Sequence, residues 1–257
     1  MPALNRTPKD AVDPRALHER IATDLRREIL TGERPPGDKL PSTQALKERF
    51  DASSATIQKA VSMLKSEGLV SGRAGSAVTV LEHRREVMHP AAYSKPAETG
   101  RPYRWLEEAE KRGKAPSIQL VNVEEVRPPA DVAAALDLGA DGRALLRQQL
   151  LSLDGEPCEL VKSYYPLEIA RGTGLAERRR IKGGTPTLLN ELGYPPVRTI
   201  DLVTAEEPTQ EEYVALQLPS PISVLRTFRV VLSNDDRPIE ATTMAKAGHL
   251  YRLQYEF

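Results

Sequence analysis

The chain has 257 residues, enough for two modest domains, and its 36 Lys and Arg balance its 36 Asp and Glu. That neutrality hides an asymmetry: residues 1–85 hold 15 basic and 11 acidic side chains, the remainder 21 and 25, so a small positive excess sits in the N-terminal third. No apolar run approaches the ~18 residues of a membrane span and no apolar signal core opens the chain, which sets aside membrane and exported classes and leaves a cytoplasmic protein as the expectation.

Residues 1–14 are polar and carry three prolines, which predicts a disordered arm. Leu17, Ile21, Leu25 and Ile29 then recur every four residues up to Gly32, the pattern of a helix over 16–31. Residues 34–37, Arg-Pro-Pro-Gly, form a rigid turn. Ser42 is a good N-cap for a short helix with Ala45, Leu46 and Phe50 on one side. A turn at Asp51 and Ala52 leads to a second capping position, Ser53 or Ser54. The helix that follows ends near Gly68 and places Ile57, Ala60, Val61 and Leu64 on one stripe, with Thr56, Gln58, Lys59 and Ser62 off it. Two short helices joined by a tight turn read as helix-turn-helix. Residues 69–71 and 77–80 are short β-prone runs around Gly72, Arg73, Ala74 and Gly75, which predicts a two-stranded wing.

Residues 82–102 lose all periodicity and read as a linker. His83 and His89 lie there without Cys or acidic partners at ligand spacing, so no metal site is expected. From Tyr103 the pattern is mixed. It predicts a helix around Trp105, Leu106 and Ala109, a strand over 118–126, a helix over 130–138, a strand over 144–153, an Asp154-Gly155 hairpin turn and a returning strand over 158–164. The single cysteine, Cys158, permits no internal disulfide and is expected as a small core residue. Arg178, Arg179 and Arg180 form a run expected on a solvated helix face, and 185–192 a short helix. Strand 200–205, helix 208–216, strand 223–232, turn 234–236 and strand 238–244 then repeat the earlier order at an offset of about 80 residues, and 251–257 supply a last strand. Two such units in one domain imply pseudo-twofold packing with a pocket near the shared sheet. The fold class expected is α+β.

The N-terminal pattern resembles the GntR family of bacterial transcription regulators. The motif is carried by Gly32, Pro36, Gly37, Leu40, Pro41, Ser42, Leu46, Ser53, Thr56, Ile57, Ala60, Leu64, Gly68, Leu69, Val70 and Gly75. The C-terminal half resembles the UTRA domain of the HutC subfamily, which has the fold of chorismate lyase: an antiparallel sheet with flanking helices. Here the motifs are 153–157, Leu-Asp-Gly-Glu-Pro, then Glu159, Ser163, Tyr165 and Pro166, and later 237–240, Arg-Pro-Ile-Glu, then Thr242 and Tyr251. The domains implied are a winged helix-turn-helix over 15–81, a linker over 82–102 and a UTRA-like effector-binding and dimerisation domain over 103–257.

The resemblance implies that Ser42, Gln44, Ser53, Ser54, Thr56, Gln58, Lys59, Arg73 and Gly75 face double-stranded DNA. Family arginines at three reading positions fall on Gln44, Ser54 and Gln58, which shifts the expected site from guanine toward adenine and weakens the salt dependence. It also implies effector contacts from Arg147, Gln149, Glu159, Ser163, Tyr165, Glu240, Thr242 and Tyr251, Glu240 foremost. The Arg-x-Arg pair that binds phosphate or acid ligands in relatives is Gln149 and Leu151 here, which disfavours a phosphosugar; Arg147, Arg226 and Arg229 are the nearby alternatives for an anion. The implied protein is a homodimeric repressor on an inverted-repeat operator, tuned by a small molecule, without cofactor. The altered reading positions also resemble transfer repressors of mobile elements. The rivals are a ligand-independent repressor with a vestigial pocket and a chorismate-lyase-like enzyme. The enzyme reading has against it the lack of a nucleophile-base constellation, with one histidine, His249, and one cysteine in that half.

Overall fold

A computed structural model describes residues 13–73, 76–82, 86–98, 100–139, 141–219 and 222–256. Most of the expected arm and the wing residue Gly75 therefore lie outside the described residues. The chain divides into two compact units, 1–84 and 85–257.

In the first unit, Leu17–Leu30 (α1), Thr43–Phe50 (α2) and Ser54–Ser66 (α3) surround one apolar core. Ile21 and Leu25 of α1 meet Leu46 of α2 and Ile57, Ala60 and Leu64 of α3, all nearly inaccessible to solvent. The expected side of α2 is narrower than its sequence suggests: Leu46 is buried, Phe50 is half-buried, and Ala45 is exposed beside its cap. Asp51 takes a left-handed conformation, φ 46°, which turns the chain sharply enough to start α3 three residues later. Two ion-pair groups brace the helices. Arg26 of α1 forks onto Glu67 at the end of α3 with both bonds at 2.6 Å, and Glu28 of α1 is shared by Arg34 and Arg49. Val70–Ser71 (β1) and Thr79–Val80 (β2) pair antiparallel as the wing. Leu40 N donates to Val78 O and Val80 N to Asp38 O, so the stretch before α2 joins β2 as a third short partner. Gly72 sits close against the facing wing segment: a Cβ there would lie 3.0 Å from Ala77 O and Val78 Cα, so a side chain would force that backbone to shift.

The second unit begins within the stretch expected to be a linker. Glu86–Met88 (β3) pairs in parallel with the late strand Tyr251–Leu253, and Pro90–Tyr93 (α4) follows. Met88 and Tyr93 are buried against Trp105, Leu106 and Tyr251. The sequence shows no periodicity here because β3 is three residues long and its partner is at the other end of the domain. His89 is not a solvated linker histidine: its Nδ1 lies 2.8 Å from Glu108 Oε1.

Arg104–Lys111 (α5), Pro116–Val126 (β4), Ala130–Ala135 (α6), Ala144–Leu153 (β5), Glu156–Pro166 (β6), Leu167–Ala170 (α7) and Thr185–Glu191 (α8) form the first repeat and its connection. Arg198–Glu206 (β7), Gln210–Ala215 (α9), Val224–Leu232 (β8), Pro238–Ala247 (β9) and Tyr251–Leu253 (β10) form the second. The segment with Arg178, Arg179 and Arg180 is exposed as expected, but it is an irregular loop rather than a helix. Six strands make one antiparallel sheet in the order β4-β5-β6-β9-β8-β7. The two repeats thus meet at β6 and β9, where Ser163 stands opposite Thr242 and Glu159 opposite Lys246. One face, with Leu146, Leu160, Tyr164, Ala241 and Ala245, is covered by α6 and α9. The opposite face carries α4, α5, α7 and α8. Among the described residues no helix is long and apolar enough to cross a membrane.

If β3 belongs to the second core, Met88→Ala should behave as a core truncation. A loss of about 2–5 kcal/mol in denaturant unfolding is expected; a change within about 0.5 kcal/mol is what a solvated linker residue would give.

Candidate nucleic-acid interface and ligand cavity

The helix-turn-helix presents its polar side to solvent. Ser42 and Ser53 are the N-caps: Ser42 Oγ accepts from Ala45 N at 3.1 Å and Ser53 Oγ from Thr56 N at 3.2 Å. Each hydroxyl satisfies a helix-terminal N–H and leaves the neighbouring amides facing outward, where a phosphate is favoured. Gln58, Lys59 and Ser54 are exposed on α3, and Thr56 is half-buried with its hydroxyl 2.9 Å from Ser53 Oγ. Gln44 is exposed on α2 but engaged, its amide donating to Glu48 Oε1 at 2.7 Å. Reading an adenine edge with Gln44 therefore costs that bond. Arg73 is exposed in the wing, and its backbone is fixed by a reciprocal pair of bonds with Ser76. Lys65 donates to Gly72 O at 2.7 Å and ties α3 to the wing.

The second unit holds a cavity of about 300 Å³ between the sheet and α4, α5 and the loop before α8. Its floor is built from alternate residues of three adjoining strands: Gln149 and Leu151 from β5, Glu159, Val161 and Ser163 from β6, and Glu240, Thr242, Met244 and Lys246 from β9. Arg229 and Val231 of β8 close one side, and Tyr93, Tyr103 and Trp105 form the opposite wall. Both repeats contribute because the sheet centre is where their strands adjoin.

Glu240 is the focus of the floor. Its Oε1 accepts from Thr242 at 2.6 Å and from Ser163 at 3.3 Å, and the two hydroxyls lie 2.9 Å apart. Burial raises its pKa, and the hydroxyl bonds and Arg229 only partly offset that. The two buried cations of the cavity are already matched, while Arg101, Arg180 and Lys182 line it from the loops. Lys246 Nζ is 3.1 Å from Glu159 Oε1, with both side chains buried. Arg229 grips Asp201 through two bonds of 2.7 Å and donates to Pro90 O at 3.0 Å. Burial acts to raise the Asp201 pKa, but the Arg229 bonds and charge outweigh it and hold the carboxyl low. Ser94 Oγ and Trp105 Nε1 are buried in the wall without a hydrogen-bond partner. A ligand with an acceptor would satisfy the indole N–H, and one with a donor would satisfy Glu240.

Of the eight expected effector residues, Gln149, Glu159, Ser163, Glu240 and Thr242 line the cavity. Arg147 does not. It shares the face, opposite Ser163, but its guanidinium binds the carbonyls of Leu175, Glu177 and Arg179 and so caps the loop after α7. Tyr165 is fully buried among Leu145, Ile169 and Ile239. Tyr251 points at the core, donating to Cys158 Sγ at 2.7 Å, where burial has pushed the thiol up to about 12. Arg226 is tied to Glu206 and Glu212, on the side of α9. Lys246 was missed, although the i, i+2 spacing from Glu240 through Thr242 and Met244 points to it. Tyr103, Trp105 and Ser94 carried no such signal. Among the described residues no three His, Cys, Asp or Glu side chains gather as a metal site.

Comparison with known proteins gives the same division. Residues 17–80 match the model of the bacterial regulatory proteins of the gntR family, and residues 111–252 that of the UTRA domain. An HTH-type transcriptional regulator of Streptomyces coelicolor, itself uncharacterized, is 26% identical over 261 residues, covering 95% of this chain and 91% of the relative. The HTH-type transcriptional regulator GgaR of Escherichia coli is 26% identical over 246 residues, covering 94% and 91%. The crystal structure of PhnF from Mycobacterium smegmatis superposes with a TM-score of 0.56 at 20% identity over 92% of this chain and 98% of that one, a likeness of fold.

The raised Glu240 pKa has a signed consequence. A carboxyl raised on folding contributes stability below its unfolded value, near 4.5, and that contribution is lost as pH climbs through the folded value. Glu240→Gln keeps the hydroxyl partners and cannot ionise. The variant should therefore lose less melting temperature than the wild type between about pH 5 and pH 8. Parallel melting profiles would show that this carboxyl does not titrate within the fold.

Proposed function

Because the chain belongs to the UTRA-domain family and carries a gntR-type DNA-binding domain ahead of it, it is a DNA-binding transcription regulator, and we propose that it works as a dimeric repressor whose grip on an inverted-repeat operator is set by a small molecule in the sheet cavity. The observation that carries the ligand half of this reading is the cavity itself: a polar floor built from both repeats, facing a wall whose Ser94 Oγ and Trp105 Nε1 are buried without a partner. Burying Glu240 without a counter-ion is costly, and a ligand that supplies hydrogen-bond donors recovers that cost. Two-fold dimers read two half-sites, hence the inverted repeat. A ligand changes DNA affinity only by the difference in its affinity for the two arrangements of the dimer.

The ligand class we favour is a small hydroxylated, unphosphorylated molecule. Gln149 and Leu151 stand where phosphate binding would want arginines, and the two buried cations each have a carboxylate of their own. We place the protein in the HutC subfamily; the uncharged side chains at Gln44, Ser54 and Gln58 fit the transfer repressors of mobile elements within it. Gln58 is the base reader in this proposal, Arg73 the minor-groove contact, Ser42, Ser53 and Thr56 the phosphate side, and Lys59 a replacement cation.

Footprinting on the protein's own upstream region, in a salt series, tests the DNA half. An inverted repeat should be protected at near-physiological salt; binding that vanishes with salt and leaves no defined footprint would defeat it. Gln58→Ala should weaken specific binding by about 1–3 kcal/mol and spare non-specific binding, whereas Arg73→Ala should weaken both and reduce the salt slope by about one. For the ligand half, melting shifts are compared across unphosphorylated sugars and their phosphorylated counterparts. Stabilisation confined to the phosphorylated members would overturn the class proposed.

A further inference from the structure

The charges around the sheet cavity are unevenly satisfied, and the two ends differ in sign. On the floor Lys246 and Arg229 each hold a carboxylate, Glu159 and Asp201. Glu240 is only 7% exposed, and its hydrogen bonds come from the uncharged hydroxyls of Ser163 and Thr242. The wall opposite is aromatic, built from Tyr93, Tyr103 and Trp105. Arg101, Arg180 and Lys182 line the cavity from the loops, and all three are exposed, which places them at its rim. Arg101 pairs with Glu107 at 3.2 Å, but among the described residues Arg180 and Lys182 have neither an ion pair nor a hydrogen bond. The loop that carries those two is held at both ends. Arg147 binds the carbonyls of Leu175, Glu177 and Arg179 just ahead of them. Gly184, φ 83°, lies so close to Tyr103 that a Cβ there would be 2.5 Å from the ring.

We infer that the ligand is a zwitterion whose protonated amine sits against Glu240 and whose carboxylate meets Arg180 and Lys182 at the rim; this rests on the reading of the cavity as a small-molecule site. A buried carboxyl without a cation leans toward its neutral form, as Glu240 does. An ammonium group supplies both the missing charge and hydrogen-bond donors, whereas a neutral hydroxyl supplies donors alone. Lys246 and Arg229 do not repel that group strongly, because each is neutralised by its own carboxylate. A carboxylate placed at the floor would instead face Glu240 and Glu159 with no free cation between them. The aromatic wall works in the same sense, since ring faces attract cations. At the rim the charges are exposed and screened, so they orient the ligand more than they hold it. Gln149 lines the cavity without a bond of its own among the described residues and offers its amide to a hydroxyl of the same molecule.

The test uses the full chain and a set of probes matched in length: γ-aminobutyrate, δ-aminovalerate and ε-aminocaproate, each beside the amine, the carboxylate and the diol of the same carbon chain. Melting shifts are read with each probe at about 10 mM, and dissociation constants by titration calorimetry. The zwitterions should stabilise most, the amines less, and the carboxylates and diols least. Glu240→Gln should weaken the zwitterions and amines on the order of 10- to 100-fold, because a charge-assisted contact is lost. Arg180→Gln with Lys182→Gln changes only exposed side chains, so the fold should persist. That pair should weaken the zwitterions about 2- to 5-fold and spare the amines. Carboxylates or diols that stabilise as well as the zwitterions of their length overturn the inference and leave a ligand-controlled regulator standing. So does a Glu240→Gln variant that weakens amines and diols by the same factor. A chain that no probe of any class stabilises, while its DNA footprint is intact, overturns both the zwitterion and the small-molecule site.

Discussion

The pairing of β6 with β9 is the constraint on which the second unit depends. It joins the two repeats, sets Ser163 opposite Thr242 and Glu159 opposite Lys246, and so collects the polar floor of the cavity from residues far apart in sequence. Side chains alternate with period two, so a slip of one residue would turn that floor outward and bring Lys162 and Thr243 inward. Tyr164 and Ala241 hold the register from the other face, packed with Val132 and Leu146 beneath α6. The site is thus positioned by apolar packing it does not touch.

Charge is handled in opposite ways in the two units. Around the cavity floor of the sheet unit the ionic groups are buried, and desolvation makes each one expensive unless it is matched. Lys246 has Glu159 and Arg229 has Asp201, while Glu240 has only hydroxyls and leans toward its neutral form. That imbalance gives a ligand something to correct. In the winged helix the side chains proposed to meet DNA are exposed, apart from the half-buried Thr56, so solvent screens them, and the ion pairs Arg26–Glu67 and Arg34–Glu28 brace the helices. One unit is arranged to recognise a molecule it encloses, the other a surface it lies against.

Several residues carry two duties. Ser42 and Ser53 end their helices and also define the outward amides that can hold a phosphate. Arg147 looks like an anion-binding residue and instead holds three carbonyls of an irregular loop in place beside the cavity. A buried arginine with three backbone acceptors is satisfied without a ligand, so charge and position on a strand were not enough to identify its role.

The sequence by itself determined the winged helix, because every signal there is local. The stripes Ile21, Leu25, Ile29 and Ile57, Ala60, Leu64, the caps Ser42 and Ser53, and the turn at Asp51 act within a few residues of one another. It also determined the repeat, the Asp154-Gly155 hairpin and the order of strands within each half, and the repeated Glu159 and Glu240 pointed to the floor of the site. Only the tertiary structure decided the rest. It drew β3 and α4 out of an apparent linker, sent Tyr165 and Tyr251 into the core, brought Tyr103 and Trp105 over the sheet, and matched Lys246 with Glu159 and Arg229 with Asp201. The reason is range: a periodicity or a cap is written in neighbouring residues, whereas which side chain meets which across a sheet depends on a register fixed by packing over the whole domain.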